Sequence, residues 1–165
     1  MLTLAVFAQL RENGIEFVPN GGSFIGTVRH AGTIPWDNDA DVWFLMNDTN
    51  LKKLQPNGTV YNALVARGFK VKELRTTNEF WVLSDYVHGK HVSVAFIPYC
   101  IRDDTVVVRC TLGSQKHVSK ANFYPLIWVP FHTGFVSIPQ KRELFWDEVV
   151  VRDVRESTMG GASFH

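Results

Sequence analysis

Cysteine is scarce in this sequence. Only Cys100 and Cys110 are present, too few for the disulfide framework that stabilises many small secreted domains. If a hairpin turns at residues 103–104, Cys110 lies opposite Ile97 and not opposite Cys100, because the register of an antiparallel pair fixes which residues meet. We therefore predict two small buried thiols and no disulfide between them.

A charge excess of either sign is also lacking. The chain has 17 basic and 16 acidic residues, which give a net charge of +1, and the two signs are interspersed. Binding to a long nucleic acid depends on a clustered positive surface. We therefore expect no long nucleic-acid partner.

Long apolar runs are missing too. The apolar start of the chain is about eight residues long and has no basic flank, so it is shorter than a membrane span or the core of a signal peptide. We interpret it as an amphipathic helix with Leu4, Ala5 and Ala8 on one face. No transmembrane segment is predicted. The compartment stays open between the cytoplasm and, if the chain is part of a longer protein, the lumen of the secretory pathway.

What is present is the composition of one globular domain. The chain has 165 residues, 45% of them hydrophobic, which suffices for one core and is too short for two ordinary domains. We place this domain at residues 1–156. The last residues, 157–165, are rich in small side chains, and we predict that they form a flexible tail.

Apolar spacing predicts helices first and strands later. Helical spacing and stop signals predict a first helix that ends at Asn13 and Gly14, followed by helices over residues 23–30, from a polar entry at 47–50 through Leu54, and over 59–67 and 143–151. Alternation and turn signals predict strands over residues 15–19, 41–46, 69–74, 80–87, 92–99, 105–112 and 135–138. This order indicates an α+β fold with a mixed β-sheet flanked by helices.

Residues 21–30 combine a glycine turn with the start of a helix. Gly22 and Ser23 follow a predicted strand, and glycine permits a close approach of the backbone that a side chain would block. The first N–H groups of the helix and its positive end then point at whatever lies above the turn. Such a turn suits a phosphate.

Three aspartates follow at alternate positions. Asp37, Asp39 and Asp41 precede an apolar run at residues 42–46 that is typical of a buried strand. If the strand begins at Asp39, the two-residue period places Asp39 and Asp41 on one face. Two such carboxylates repel each other unless a cation or a proton lies between them, and a divalent metal ion is the simplest solution. Asp37 either supports that site or accepts backbone N–H bonds within the loop.

The same stretch resembles a known family. Gly22-Ser23 followed by spaced aspartates is similar to the signature of the polymerase-β-like nucleotidyltransferase fold. The longer string GGSFIGTVRHAGTIPWDNDADV resembles more specifically the LicD/fukutin family of phosphocholine and ribitol-phosphate transferases. The positions that match its pattern are Arg29, His30, Ile34, Pro35, Trp36, Asp37, Asp39 and Asp41. A closing segment at residues 135–139 is also similar.

The resemblance implies a nucleotidyltransferase-like fold and a phosphotransferase activity. The group transferred would be a phospho-alditol or phosphocholine, the donor would be CDP-linked, and the acceptor would be a glycan. The cofactor would be Mg²⁺ or Mn²⁺. By the same resemblance Asp39 and Asp41 would hold the metal, with Asp37 in support.

The resemblance also implies substrate-binding roles. Gly22 and Ser23 would meet the donor phosphate, and Arg29 would neutralise its charge or pair with Asp37. His30 is interpreted as holding the loop by a hydrogen bond. Trp36 either stacks on a base or sugar or packs the loop onto the core.

One departure from the family pattern matters for function. Relatives carry a third carboxylate on a later strand, and the matching positions here are Ser93 and Ala95. Either Asp85 replaces it, or the domain is a catalytically impaired nucleotidyltransferase-like domain that binds nucleotide or glycan or acts as a scaffold. A third hypothesis treats residues 37–39 as the DxD motif of a glycosyltransferase, but that motif normally ends an apolar strand and here it precedes one.

Overall fold

The computed structural model describes residues 2–84, 91–111 and 116–151. Six helices are found in this part of the chain: α1 (Leu2–Glu12), α2 (Gly21–His30), α3 (Asp48–Leu54), α4 (Thr59–Ala66), α5 (Lys120–Phe123) and α6 (Arg142–Trp146), the last continued by a π-helical turn at Asp147–Val151. The strands are β1 (Phe17–Asn20), β2 (Asp39–Leu45), β3 (Lys70–Leu74), β4 (Glu79–Leu83), β5 (Ser93–Arg102), β6 (Thr105–Val108), β7 (Lys116–Ser119), β8 (Leu126–Phe131) and β9 (Gly134–Pro139).

A seven-stranded mixed sheet is built around β5. The strand order is β1-β2-β5-β4-β3, and β6 pairs with β5 and with β7. The β2–β5 pair is parallel, and the other pairs of this sheet are antiparallel. Because β4 pairs with the first half of β5 and β6 with the second half, β4 and β6 lie end to end along one side of β5. β8 and β9 form a separate hairpin. The predicted α+β class with a mixed sheet is confirmed.

Helices cover both faces of the sheet. On one face Phe44 contacts Phe80 and Phe17 contacts Phe7 of α1, with ring centroids 6.1 and 5.1 Å apart. On the other face Trp43 meets Phe145 of α6 with centroids 5.7 Å apart. Burying large aromatic side chains on both faces provides the main stabilising contribution. Asp39 and Asp41 share the face of Trp43, since side chains two residues apart in a strand point the same way.

Some elements differ from the prediction. The buried face of α1 carries Leu2, Val6, Phe7 and Leu10, and Leu4, Ala5 and Ala8 are only partly buried. β7, α5 and β8 were not predicted, because β7 alternates weakly and β8 contains Pro130. The last predicted helix is shorter as an α-helix and ends in the π-helical turn. The predicted tail at residues 157–165 lies outside the described residues. In the described part, none of the helices has the length and apolar character needed to span a membrane.

The prediction of two free thiols is wrong, since Cys100 and Cys110 form a disulfide. The predicted hairpin register is correct as far as β6 extends, because Ile101 pairs with Val106 and Cys100 with Val107. β6 ends at Val108, however, and Arg109 adopts a left-handed conformation with φ +55°. This residue redirects the chain and brings the two Cα atoms to within 6.0 Å, a distance that a disulfide spans.

Candidate active site

The glycine turn and the aspartate strand meet at one point of the fold. Asn20, the last residue of β1, pairs with Asp41 of β2, so α2 begins directly beside the aspartates. The backbone N–H of Asp41 donates a hydrogen bond to the Ser23 hydroxyl at 3.1 Å. Ser23 is 4% exposed, so this bond holds the start of the helix against the strand.

The carboxylates of Asp37 and Asp41 lie close to the two glycines. A Cβ on Gly22 would lie 2.5 Å from Oδ2 of Asp37 and would displace that carboxylate, whereas a Cβ on Gly21 would lie 3.9 Å from Oδ2 of Asp41, an ordinary contact. At Gly21 the left-handed backbone, with φ +54°, is what favours glycine. Asn20 makes no side-chain cap at the helix start. The first N–H groups of α2 thus face the same space as the carboxylates.

Asp39 and Asp41 share one face of β2, as the spacing predicts. The strand begins at Asp39, which is exposed, Ala40 is buried, and Asp41 is half-buried. In the parallel pair Asp39 lies beside Ser93 and Asp41 beside Ala95. The two positions that lack the third carboxylate are therefore the direct neighbours of the aspartate pair. Asp85 lies outside the described residues.

Negative charge is concentrated at this point. Burial is the main cause that raises the pKa of Asp41, and the charges of Asp39 and Asp37 raise it further. Burial also raises the pKa of Asp37, although the backbone N–H of Asp39, which donates to its Oδ1 at 3.4 Å, opposes that rise. A nearby positive ion would stabilise both ionised carboxylates.

The donor set fits a Mg²⁺ or Mn²⁺ ion that is shared with a ligand. Among the described residues no group of three or more His, Cys, Asp or Glu side chains forms a complete metal cluster. Mg²⁺ is commonly held by one or two carboxylates together with substrate phosphates and water, and does not need an all-protein cage. Asp39 and Asp41 would supply those carboxylates. The pKa of Asp41 is raised mainly by burial and further by the charges of Asp39 and Asp37, and a bound cation would counter both effects.

The other predicted substrate-binding residues are spread around α2. Trp36 is 79% exposed in the loop before the aspartates, so it does not pack the loop onto the core, and stacking on a ligand stays a prediction. Arg29 lies six residues after Ser23, roughly 9 Å along the helix axis, and lines a groove of about 330 Å³ with Arg142 and Trp146. His30 is exposed at the end of α2. The structure does not bring these two basic residues to the aspartate pair.

The loop that leads to the aspartates is held by a residue that the sequence did not reveal. His132, in the β8–β9 turn, accepts a hydrogen bond from the Thr33 backbone N–H at 2.9 Å and donates its own backbone N–H to Ala31. Gly32 fits closely, because a Cβ there would lie 2.7 Å from the His132 ring. His132, which is 99 residues from Thr33 in the chain, thus holds this loop by a hydrogen bond of the kind predicted for His30.

The sequence prediction also missed an ion pair between Arg109 and Glu79. Nε of Arg109 donates to Oε1 of Glu79 at 2.5 Å. The charge of Arg109 lowers the pKa of Asp41 and the charge of Glu79 raises it, both less than burial does. The alternation of Glu79, Trp81 and Leu83 could have indicated Glu79 as a site residue. Trp81 pairs with Ala95, so Glu79, two residues away, has its carboxylate on the same face of the sheet. No local pattern marks Arg109.

The fold and this site define a class of α+β domain in which a helix N-terminus and a carboxylate pair face one space. The chain belongs to the LicD/FKTN/FKRP family, whose nucleotidyltransferase-domain model matches residues 14–141. This confirms the family resemblance. The matched region begins after α1 and includes Asp37, Asp39 and Asp41, the glycine turn, Glu79 and Arg109.

Two curated relatives give the same assignment. The ribitol 5-phosphate transferase FKRP of Homo sapiens is 27% identical over 134 residues, which are 80% of this chain and 26% of that protein. The protein of the same name from Mus musculus is 26% identical over the same length and the same shares. The chain thus spans about a quarter of the length of these relatives.

Proposed function

We propose that this domain transfers a phospho-alditol or phosphocholine group from a CDP-linked donor to a hydroxyl group of a glycan, with Mg²⁺ or Mn²⁺ as cofactor. Membership of the family and the names of the relatives, ribitol 5-phosphate transferases, support a transferase of phosphate-linked groups. The observation that carries the proposal is the position of Asp39 and Asp41 on one strand face, directly against the start of α2.

The geometry suits phosphoryl transfer because this reaction depends mainly on positioned positive charge. A bound metal ion would neutralise charge on the donor phosphates. The first N–H groups of α2, which Asn20 leaves uncapped, would donate to phosphate oxygens. Gly21 and Gly22 allow that approach, and the Ser23–Asp41 hydrogen bond keeps the two groups in register.

A second candidate function is a domain that binds donor or glycan without turnover. The observation that favours it is that Ser93 and Ala95, the two positions at which the family pattern would have a carboxylate, lie beside Asp39 and Asp41. Ala95 is 5% exposed and can neither bind a metal nor accept a proton from the acceptor hydroxyl. Loss of a general base typically costs about 10²- to 10⁴-fold in rate.

Calorimetric titration of CDP in the presence of Mg²⁺ or Mn²⁺ tests the proposal. Wild-type protein should bind the nucleotide only with metal present. Asp39→Ala and Asp41→Ala should abolish this metal dependence, whereas Asp104→Ala, in the exposed β5–β6 hairpin, should bind as the wild type does. If the wild type shows no metal-dependent nucleotide binding, the proposal is wrong.

Turnover distinguishes the two candidate functions. Incubation with CDP-ribitol or CDP-choline and a glycan acceptor should release CMP and give a modified glycan if the first function holds. Metal-dependent binding with no product from either donor would support the second function. Asp39→Ala and Asp41→Ala serve as negative controls in the assays with CDP-ribitol and with CDP-choline.

A further inference from the structure

Arg109 lies at a junction between two strands. β4 and β6 follow each other along the same side of β5, so the first residue of β4, Glu79, faces the end of β6. Arg109 comes directly after β6 and has a left-handed backbone, with φ +55°. Its backbone N–H donates to the Pro98 carbonyl at 2.7 Å. This conformation is uncommon for a residue other than glycine and often marks a functional position.

Glu79 fixes one edge of the Arg109 guanidinium. The Nε–Oε1 distance is 2.5 Å, and the side chain of Glu79 is 9% exposed whereas that of Arg109 is 49% exposed. The Nη atoms make no hydrogen bond in the part of the chain that the structure describes. A buried carboxylate thus orients an arginine whose outer donors face solvent. The planar guanidinium can bind two phosphate oxygens at once through these donors.

The pair lies on the face of the sheet that carries the aspartates. Trp81 pairs with Ala95, and Ala95 lies beside Asp41. Glu79 is two residues from Trp81, so its side chain points to the same face. Because Glu79 holds the guanidinium at this face, Arg109 lies on the side of the sheet that carries the proposed metal site.

We propose that Arg109 binds a phosphate of the nucleotide donor and that Glu79 is its positioning residue. This inference rests on the proposed function and names a residue that the family resemblance did not supply. A nucleoside diphosphate brings negative charge to a site that already holds Asp37, Asp39 and Asp41, so it needs cations there beyond the helix end. Arg29, the arginine that the sequence indicated, lies at the far end of α2. We therefore assign neutralisation of the donor phosphate to Arg109.

Titration of CDP with Mn²⁺ into single-residue variants tests the inference. Arg109→Gln should weaken CDP binding by about 10- to 100-fold, as expected for loss of a charge-assisted hydrogen bond. Arg109→Lys should retain part of the affinity. Glu79→Gln should give an intermediate loss, because the arginine keeps its charge and loses its orientation. Each variant should bind cytidine, which has no phosphate, as the wild type does.

The pair Glu73 and Arg75, 3.5 Å apart, with the Arg75 side chain 85% exposed and that of Glu73 12% exposed, provides a matched control. Arg75→Gln and Glu73→Gln should leave CDP binding unchanged. If the wild type does not bind CDP with metal, the proposed function fails. If the wild type binds and Arg109→Gln binds equally tightly, the function stands and the inference about Arg109 is wrong. If Arg109→Gln loses affinity for CDP and for cytidine equally, Arg109 has a structural role, and the inference is likewise wrong.

Chemical labelling gives a test that needs no variant. Phenylglyoxal modifies accessible arginines, and peptide mass spectrometry reports the site. CDP with Mn²⁺ should protect Arg109 and leave Arg75 as reactive as before. Labelling of Arg109 that is unchanged by a saturating nucleotide concentration would refute the inference, even if Arg109→Gln failed to fold.

Discussion

Asp41 carries a charge that the protein alone stabilises poorly. Burial, followed by the charges of Asp39 and Asp37, raises its pKa above the ordinary value of 3.8. The folded state therefore holds the proton more tightly than the unfolded chain does. It follows that the contribution of this group to stability falls as pH rises through the window between the two pKa values. At neutral pH the ionised carboxylate favours unfolding.

We predict that Asp41→Asn is more stable than the wild type at pH 7 without metal. A gain of up to about 1 kcal/mol, roughly 2–4 °C in Tm, is expected for relief of repulsion at a half-buried site. The gain should shrink as pH is lowered towards 3.8, and Mn²⁺ should raise the Tm of the wild type and not that of the variant. Thermal unfolding over a pH series measures both effects.

Asp104→Asn, in the exposed hairpin, serves as the control and should behave as the wild type at every pH. A loss of stability in Asp41→Asn at pH 7 would mean that the Asp41 charge is already compensated within the protein. The need for a cation at this site would then disappear.

Two glycines of α2 should respond differently to the same substitution. In Gly22→Ala the new Cβ meets the end of the Asp37 side chain, whereas in Gly26→Ala it would lie 2.4 Å from the Gly32 carbonyl oxygen. A side chain can rotate away and a backbone cannot. We predict that Gly22→Ala keeps its Tm and loses affinity for CDP and metal. Gly26→Ala should unfold about 2–12 °C lower, in line with overpacking costs of about 1–3 kcal/mol.

Calorimetry and thermal unfolding of both variants separate these effects. A Gly22→Ala variant with full nucleotide affinity would show that the close contact with Asp37 has no part in binding. An unchanged Tm in Gly26→Ala would show that the loop at residues 31–34 yields to the added methyl group.

Individual residues of the site were predictable only where the signal is local. The spacing of Asp39 and Asp41 fixes their shared face once β2 begins at Asp39, and Gly22 marks a close approach. Arg109 and Glu79 are 30 residues apart. Their contact arises because β4 begins where β6 ends along β5, and no pattern within either segment predicts that.

At the scale of elements, the hairpin of β5 and β6 links a disulfide to the proposed phosphate contact. Cys110 follows Arg109 directly, and its bond to Cys100 holds the chain where it turns away from the sheet. Arg102 also donates to the Cys110 carbonyl at 3.0 Å. The position of Arg109 is thus fixed from both sides, by β6 and by the disulfide.

We predict that reduction of this disulfide lowers both stability and nucleotide affinity. Opening a loop of this size should cost about 2–3 kcal/mol, and Arg109 should lose its fixed backbone. The measurements are Tm and CDP affinity with and without reductant, with the Cys100→Ser/Cys110→Ser double variant as the control that reductant cannot change. Titration of two free thiols in the native, unreduced protein would contradict the disulfide itself.

Elements with strong periodic patterns were predicted well, and those shaped by tertiary contacts were not. The register of the β5–β6 hairpin follows from its turn, but the left-handed residue after β6 does not, and so the disulfide was missed. β8 contains a proline that central strands exclude, yet its two-stranded sheet with β9 tolerates it. The buried face of α1 was also misassigned, because both of its faces carry apolar residues and packing alone decides between them.

For the whole molecule, the parallel β2–β5 pair is the central feature. It places Ser93 and Ala95 beside Asp39 and Asp41, so a carboxylate at either position would complete a cluster with the aspartate pair. The family model covers this entire arrangement, while the chain spans about a quarter of its curated relatives. Catalysis by this domain therefore requires another group to supply the metal ligand and the general base that the third carboxylate would provide.

Ala95→Asp tests whether the site lacks one group. Its Cβ already points to the face of Asp41, so the new carboxylate would lie beside the pair without a change of register. We predict tighter Mn²⁺ binding, and turnover of the CDP-linked donor that rises by about 10²-fold or more, because the acceptor hydroxyl gains a base. Ala95→Asn, of the same shape and without charge, is the control and should give neither gain. If the wild type already turns over the CDP-linked donor as fast as Ala95→Asp does, another carboxylate supplies the base. The Asp85→Asn variant would then show whether Asp85 is that carboxylate.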